Sequence, residues 1–309
     1  MSALDSVRAQ DGAVRALLRA REQGRVASAY LFDGPSGVGK ELAATAFALD
    51  VVAKGNPHIA DRIEAGAHPD VRVFRPRDEG KRNIQVEVLR NEILPLAQFA
   101  PFEADSTFFI FPEADVSFPS FQPEAANAIL KTLEEPRPNV HFILTSERPE
   151  SLLPTIRSRC QRVRFGRLPS AVVRDIVTAD GVPEEAVEPS IALSGGRADV
   201  ALSLARDGAV QELGELVDEI DEALRTGGPG TLVEVAERLA RRDDLELALL
   251  TLQSFYRDRS AAAVDADADA ASALAARVSL IHRCVRSMQQ NANRQVALDS
   301  LMFGLRDLR

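Results

Sequence analysis

At 309 residues the chain is too long for one small core and points to two or three domains. Hydrophobic residues make up 45% and charged residues 27%, an ordinary balance for a folded chain that excludes disorder and fibres. A net charge of −9 excludes broad coating of nucleic acid, which rests on Lys and Arg neutralising phosphates, but leaves a local contact open.

Apolar residues recur at helical spacing from about residue 7 to residue 24 (Val7, Val14, Leu17, Leu18), with Gly24 as the stop, and predict a first amphipathic helix. AYLF then reads as a short buried strand running straight into GPSGVGK and the helix-forming stretch ELAATAFALDVVA. Further apolar runs follow at VRVF from Val71, TFFIF from Thr107 and VHFILT from Val140, separated by helical patterns such as PEAANAILKTLEE. Short strands without period-2 alternation, interleaved with helices, imply a parallel sheet covered on both faces. After Phe165 the strand signals stop and the rest reads as helix. The expected fold class is therefore α/β then all-α, with a phosphate-loop core over 1–166, a small helical lid over 167–209 and a helical domain over 210–309.

No apolar run approaches the roughly 18 or more residues of a membrane helix. The opening MSALDSVRAQDG lacks the basic end and apolar stretch of a signal peptide, so the expectation is a cytoplasmic protein. Cys160 and Cys284 are too few for a disulfide framework or a four-cysteine zinc site, and Cys160 reads as a small buried residue with no catalytic His nearby. The stretch VDADADAASA places Asp265, Asp267 and Asp269 in a calcium-loop rhythm, but Ala270 and Ala276 stand where an EF-hand needs Gly and Glu, so it reads as an acidic connection between helices. Two arginine-rich stretches, RVFRPRDEGKR and RSRCQRVRFGR, are candidate contact patches whose plainer reading is a solvated face.

The stretch Gly34, Pro35, Ser36, Gly37, Val38, Gly39 and Lys40 matches a phosphate-binding loop, in which backbone N–H groups and a helix N-terminus face phosphate and the lysine adds a point charge. The next residue should be Ser or Thr, whose hydroxyl holds Mg²⁺, and it is Glu41. Hydrolysis also needs an acid at the end of a second strand and a base to orient water. After TFFIF stands Pro112 where that acid belongs, with Glu113 at the base position. Both metal-holding positions are thus lost, unless Asp115 or Glu41 itself takes the metal.

The stretches EAANAILKTLEEP and VHFILTSERPESLLPTIRSRCQRVRF, with AYLFDGPSGVGK and EAGAHPDV, resemble the clamp-loader subunits of bacterial DNA polymerase III, AAA+ proteins of the gamma/tau and delta-prime type. The likeness is dense over residues 8–166 and thinner in SGGRADVAL and the C-terminal helices. It implies an AAA+ core, a lid and a collar that holds a ring of related subunits. Active gamma/tau subunits carry the loop Thr, the strand-end Asp and a four-cysteine zinc module before HPD; AKGNPHIADRIEAGAHPD has no Cys, so the segment is expected to be held by packing alone. These departures favour the delta-prime type. Arg159 of SRC would then be an arginine finger acting in trans on a neighbour's γ-phosphate, Thr145 a polar nucleotide sensor and Arg197 the lid arginine. All three also have bland readings: Arg159 capping or pairing at a domain edge, Thr145 a strand-end Thr and Arg197 a surface Arg at a helix start. The resemblance further implies gamma/tau and delta partners, the sliding clamp and primer-template DNA reached through the complex, and a place in the polymerase (nucleotidyltransferase) holoenzyme. ATP or ADP can occupy the loop without being required, and neither zinc nor Mg²⁺ is expected. The rival expectation is an active gamma/tau-like ATPase of the same complex.

Overall fold

The computed structural model describes residues 2–75, 84–119, 123–206, 209–264, 266–289 and 292–308. Most of the first arginine-rich patch and Asp265 lie outside the described residues. The chain forms two compact units, Met1–Leu168 and Pro169–Arg309, and the second holds the stretches expected as lid and collar.

The first unit carries β1 (Ala29–Asp33), β2 (Val71–Val73), β3 (Thr107–Phe111), β4 (Val140–Ser146) and β5 (Gln161–Arg164) in one parallel sheet of order β2-β3-β4-β1-β5. Its helices are α1 (Asp11–Glu22), α2 (Lys40–Val52), α3 (Pro57–Glu64), α4 (Val86–Val88), α5 (Leu94–Leu96), α6 (Ala114–Ser117), α7 (Pro123–Glu134) and α8 (Pro154–Arg159). Every residue of β1, β3 and β4 is buried, which is why these strands read as continuous apolar runs. Successive side chains alternate between faces. Leu31, Phe109, Phe111, Phe142 and Leu144 join Ile129 of α7 in one layer. On the other face Tyr30 and Phe108 meet Phe47 of α2 edge-on, at 5.5 and 6.0 Å between ring centres. Full burial of each of these phenylalanines contributes roughly 2 to 3 kcal/mol.

Two elements depart from the sequence-based expectation. The first helix begins at Asp11, not near residue 7, because Ala9 is left-handed (φ 54°) and Gln10 is non-helical; Ala3–Ser6 forms a separate 3-10 turn capped by Ser2. Strand β5 falls within the second arginine-rich stretch, where only Val163 of its residues is buried. An edge strand with one apolar residue leaves no run to detect.

The HPD segment has a structural task. Asp70 is fully buried and accepts hydrogen bonds from the N–H groups of Phe102, Glu103 and Ala104 at 2.7, 2.8 and 2.9 Å and from the Thr107 hydroxyl at 2.9 Å. Burial pushes its carboxyl up, but the three N–H donors and the hydroxyl outweigh this and hold it below the usual carboxylate range. The same loop is gripped from the other side. Arg62 of α3 makes two hydrogen bonds to Glu103, at 2.6 and 3.1 Å, and Lys54 pairs with Asp105. Asn56 caps α3 through the N–H of His58 at 3.1 Å, and Ile63 is buried beneath it. The expectation that packing alone holds this segment is therefore corrected: ion pairs and a side-chain cap hold it together with Ile63.

The second unit contains α9 (Ser170–Ala179), α10 (Glu184–Ser194), α11 (Ala198–Arg206), α12 (Ala209–Thr226), α13 (Pro229–Ala240), α14 (Leu245–Ala263), α15 (Ala268–Gln289) and α16 (Arg294–Asp307). Leu249, Leu252, Ile281, Leu298 and Met302 share its core. Asp221 is a buried hub, accepting from the Tyr256 hydroxyl at 3.1 Å and from Arg259 at 3.2 Å, with Arg277 at 3.8 Å. Asp267 caps α15 by accepting from the N–H groups of Asp269 and Ala270, which gives the acidic stretch between α14 and α15 its role as a connection. Among the described residues no helix is long and apolar enough to cross a membrane.

Replacing Asp70 by Asn puts an amide N–H₂ against backbone donors and is expected to cost about 2 to 3 kcal/mol in urea unfolding at neutral pH. Because the folded carboxyl titrates below its unfolded value of about 3.9, its contribution is present above that pH and is lost as pH falls through the folded value. The variant should therefore lose less stability than the parent between neutral pH and acid. Burial pushes the thiol of partly buried Cys160 up to about 12 and that of buried Cys284 up to about 11. At pH 8 the thiolate available to a disulfide reagent should be lower in the folded chain than after unfolding, by about a hundredfold at Cys284 and about a thousandfold at Cys160, so both should react more slowly when folded and Cys160 the more so.

Candidate nucleotide site

The parallel sheet brings the carboxyl ends of β1, β3 and β4 to one edge, where ligands of open α/β sheets bind. The loop leaves β1 after Asp33 and closes at Gly39, whose φ of 92° caps α2. Gly34 is required by close approach: a Cβ there would lie 2.3 Å from the Phe165 carbonyl oxygen. The N–H of Gly34 donates to Ser146 at the end of β4, at 3.1 Å.

Three contacts hold the loop to the sheet. Arg162 of β5 forks onto Asp33 with hydrogen bonds of 2.8 and 2.7 Å. The Phe165 N–H donates to the Asp33 carbonyl at 2.8 Å. Gln10, buried ahead of α1, exchanges two 2.9 Å hydrogen bonds with Gly166 and reaches the Val38 carbonyl at 3.4 Å. Sequence reasoning missed Gln10, Asp33 and Arg162, because their partners lie more than a hundred residues away in sequence and a lone polar residue before a helix carries no periodic signal.

The charges of the loop are engaged within the chain. Lys40 is buried, and its Nζ donates to the Gly34 carbonyl at 2.7 Å and to the Pro35 carbonyl. Glu41, half exposed in the first turn of α2, pairs with Arg75 just past the end of β2. A carboxylate in a first helical turn is favoured by the helix dipole, so Glu41 is at ease where a metal-holding hydroxyl would stand. Val38 is buried.

Opposite the loop, Thr145 sits on β4 in register with Phe32 and is buried. Its hydroxyl accepts the N–H of Glu113 at 3.3 Å. Glu113 itself is exposed and left-handed (φ 49°), capping α6 directly after Pro112. A non-glycine residue held in that conformation marks a place where the surrounding structure dictates the backbone. The carboxylate of Asp115 is buried and committed elsewhere: Arg148 donates to it at 3.1 Å and the N–H of Glu147 at 3.4 Å. The structure thus gathers Gly34 to Glu41, Pro112, Glu113 and Thr145 at one edge of the sheet.

Arg159 lies outside that group, and Arg197 belongs to the second unit. Arg159 ends α8, donating from Nη1 to its own helix at the Thr155 carbonyl, 2.9 Å, and pairing through Nη2 with Glu134 at the end of α7. Arg197 precedes α11 in the second unit, with Asp199 at 3.4 Å. The second arginine-rich stretch is consequently no uniform basic face, since Arg159 and Arg162 are each paired with a carboxylate.

A cavity of about 770 Å³ opens at the opposite end of the sheet, lined by Arg21, Asp50, Lys54, Asn139 and His141 among others. Asp50 is engaged there by Arg21 at 3.2 Å and the Ala3 N–H at 2.8 Å. His141 donates from Nδ1 to the Ala27 carbonyl at 2.9 Å, and burial holds its imidazole below the usual range, favouring the neutral ring. Gly55, left-handed at φ 86°, and the N-terminus of α3 at Asn56 and Pro57 also line this cavity, and Asn56 already caps that helix.

Residues 9–169 match the family described as "DNA polymerase III, delta subunit". The delta-prime subunit of DNA polymerase III from Pseudomonas aeruginosa is 31% identical over 64% of this chain and 62% of its own length. That of Bacillus subtilis is 32% identical over 57% of this chain and 54% of its own length. The tau subunit of Bacillus subtilis is 32% identical over 74% of this chain but 41% of its own length. The alignments thus span 62% and 54% of the two delta-prime relatives. With more than half of its residues matched, the chain belongs to the DNA polymerase III delta-subunit family, and its relatives include delta-prime subunits of DNA polymerase III.

Proposed function

We propose that this chain is a ring member of a bacterial sliding-clamp loader that hydrolyses no ATP itself and offers Arg159 in trans to the nucleotide of an adjacent gamma/tau-type subunit. One observation carries the reading: the two positions that should hold Mg²⁺ are a carboxylate engaged by Arg75 and a proline, while the nearest substitute, Asp115, is engaged by Arg148. A bound nucleotide would have to draw Lys40 off the Gly34 and Pro35 carbonyls and would find no metal clamp, so the loop keeps its shape at the expense of its chemistry. A guanidinium brought in from a neighbour stabilises charge developing on the transferred phosphoryl group, and this is the contribution left to Arg159.

In this reading the first unit is the AAA+ module and the second supplies lid and collar. The partners are gamma/tau and delta subunits, with the sliding clamp and primer-template DNA met through the complex. Thr145 and Arg197 keep sensor positions without a competent site to report on, and any ATP or ADP at Gly34 to Glu41 is held without catalysis. The match to a tau subunit keeps one rival, an active ATPase using Asp115 as its metal acid.

The purified chain should show no Mg²⁺-dependent ATP turnover above background, and Asp115→Ala should change nothing. Turnover that Asp115→Ala abolishes would establish the rival. In a loader reconstituted with gamma/tau and delta subunits, Arg159→Ala is expected to lower the rate at one site by about a thousandfold or more, read as a partial loss of the clamp- and DNA-stimulated ATPase. An unchanged rate would reduce the chain to a binding module.

A further inference from the structure

We infer that Glu134 is a latch for Arg159, parking the guanidinium against its own subunit until a neighbour's nucleotide draws it away. The inference rests on the proposed role of Arg159 and adds a residue and a regulation to it. Glu134 is the last residue of α7, at the negative end of the helix dipole, where a carboxylate is disfavoured and a lysine or arginine would be the stabilising choice. An acid at such a position is compensated by the cation it meets, and here that cation is Arg159.

Arg159 is held from two directions. It ends α8, where a cation is favoured, and closes that helix through the Thr155 carbonyl at 2.9 Å, with Glu134 taking the other terminal nitrogen. Both holds can be released. The side chains of Arg159 and Glu134 are 32% and 47% exposed, and an ion pair this open to water shifts an equilibrium by up to about fivefold. By contrast Arg162, three residues on in β5 and itself 45% exposed, is forked onto an Asp33 side chain that is only 11% exposed. The same side-chain type is thus fixed in one place and loosely parked in the other. A polyphosphate carries several negative charges and accepts the guanidinium fork in a bidentate manner, so it outcompetes a single half-exposed carboxylate. Glu134 therefore sets a threshold that nucleotide at the adjoining subunit must exceed before the finger engages.

The test uses the reconstituted loader with gamma/tau and delta subunits, clamp and primed DNA, and compares the parent with Glu134→Gln, Arg159→Ala and the double variant. Removing the latch charge should lower the half-saturating ATP concentration two- to fivefold at an unchanged maximal rate, and the shift should vanish in the double variant. A structural role for Glu134 would instead lower the thermal midpoint of the isolated chain and leave the half-saturating concentration where it was. An unchanged or raised half-saturating concentration for Glu134→Gln, in a loader that Arg159→Ala still impairs, overturns the latch and leaves the finger standing. If Arg159→Ala has no effect, the finger and the latch fall together.

Discussion

The contact on which the nucleotide edge depends is the fold-back of Lys40 onto the carbonyls of its own loop. A buried ammonium with no partner would cost several kcal/mol, and in a working phosphate loop the anion relieves that cost. Here the carbonyl oxygens of Gly34 and Pro35 do so. Around Lys40 the same rule recurs: Glu41 is matched by Arg75, Asp33 by Arg162 and Asp115 by Arg148. At this edge the charges of Lys40, Glu41, Asp33 and Asp115 are thus each matched by a partner within the chain.

Such internal pairing has a geometric condition. The loop must be held in the path its glycines allow, and the restraint comes from behind. Phe165 packs so close to Gly34 that no side chain fits, Arg162 fixes Asp33 to the edge strand, and Gln10 joins the loop at Val38 to Gly166. These contacts come from β5 and the segment ahead of α1, both remote in sequence from the loop. They preserve the shape that makes the loop recognisable in sequence.

This division explains what the sequence disclosed. The buried strands β1, β3 and β4 were legible because a parallel sheet covered on both faces needs apolar residues at every position. The phosphate loop was legible because its glycines are dictated by local backbone geometry, and the departures from its pattern at Glu41 and Pro112 stand in the sequence itself. Strand β5 was hidden because an edge strand buries one side chain, Val163, among arginines. The pairings of Lys40, Asp33 and Arg159 were hidden for another reason: a charged residue's partner is chosen in three dimensions and leaves no periodic trace. The segment expected to rely on packing was misread likewise, since Arg62 and Lys54 find Glu103 and Asp105 some forty to fifty residues on.

The two arginines at 159 and 162 show how burial assigns roles within one short stretch. Arg162 meets a carboxylate shielded by the sheet, with both oxygens engaged, so moving it would leave a buried charge unmatched. Arg159 meets a carboxylate in water, where separation costs little because solvent receives both ions. A group that must leave one subunit and enter another has to be held weakly at home, yet held well enough that its long side chain is not searching every rotamer when the partner arrives. A half-exposed pair at the end of a six-residue helix meets both requirements. In the proposed reading the chain gives up its own phosphate chemistry by satisfying Lys40 internally and retains a share in its neighbour's by satisfying Arg159 only loosely.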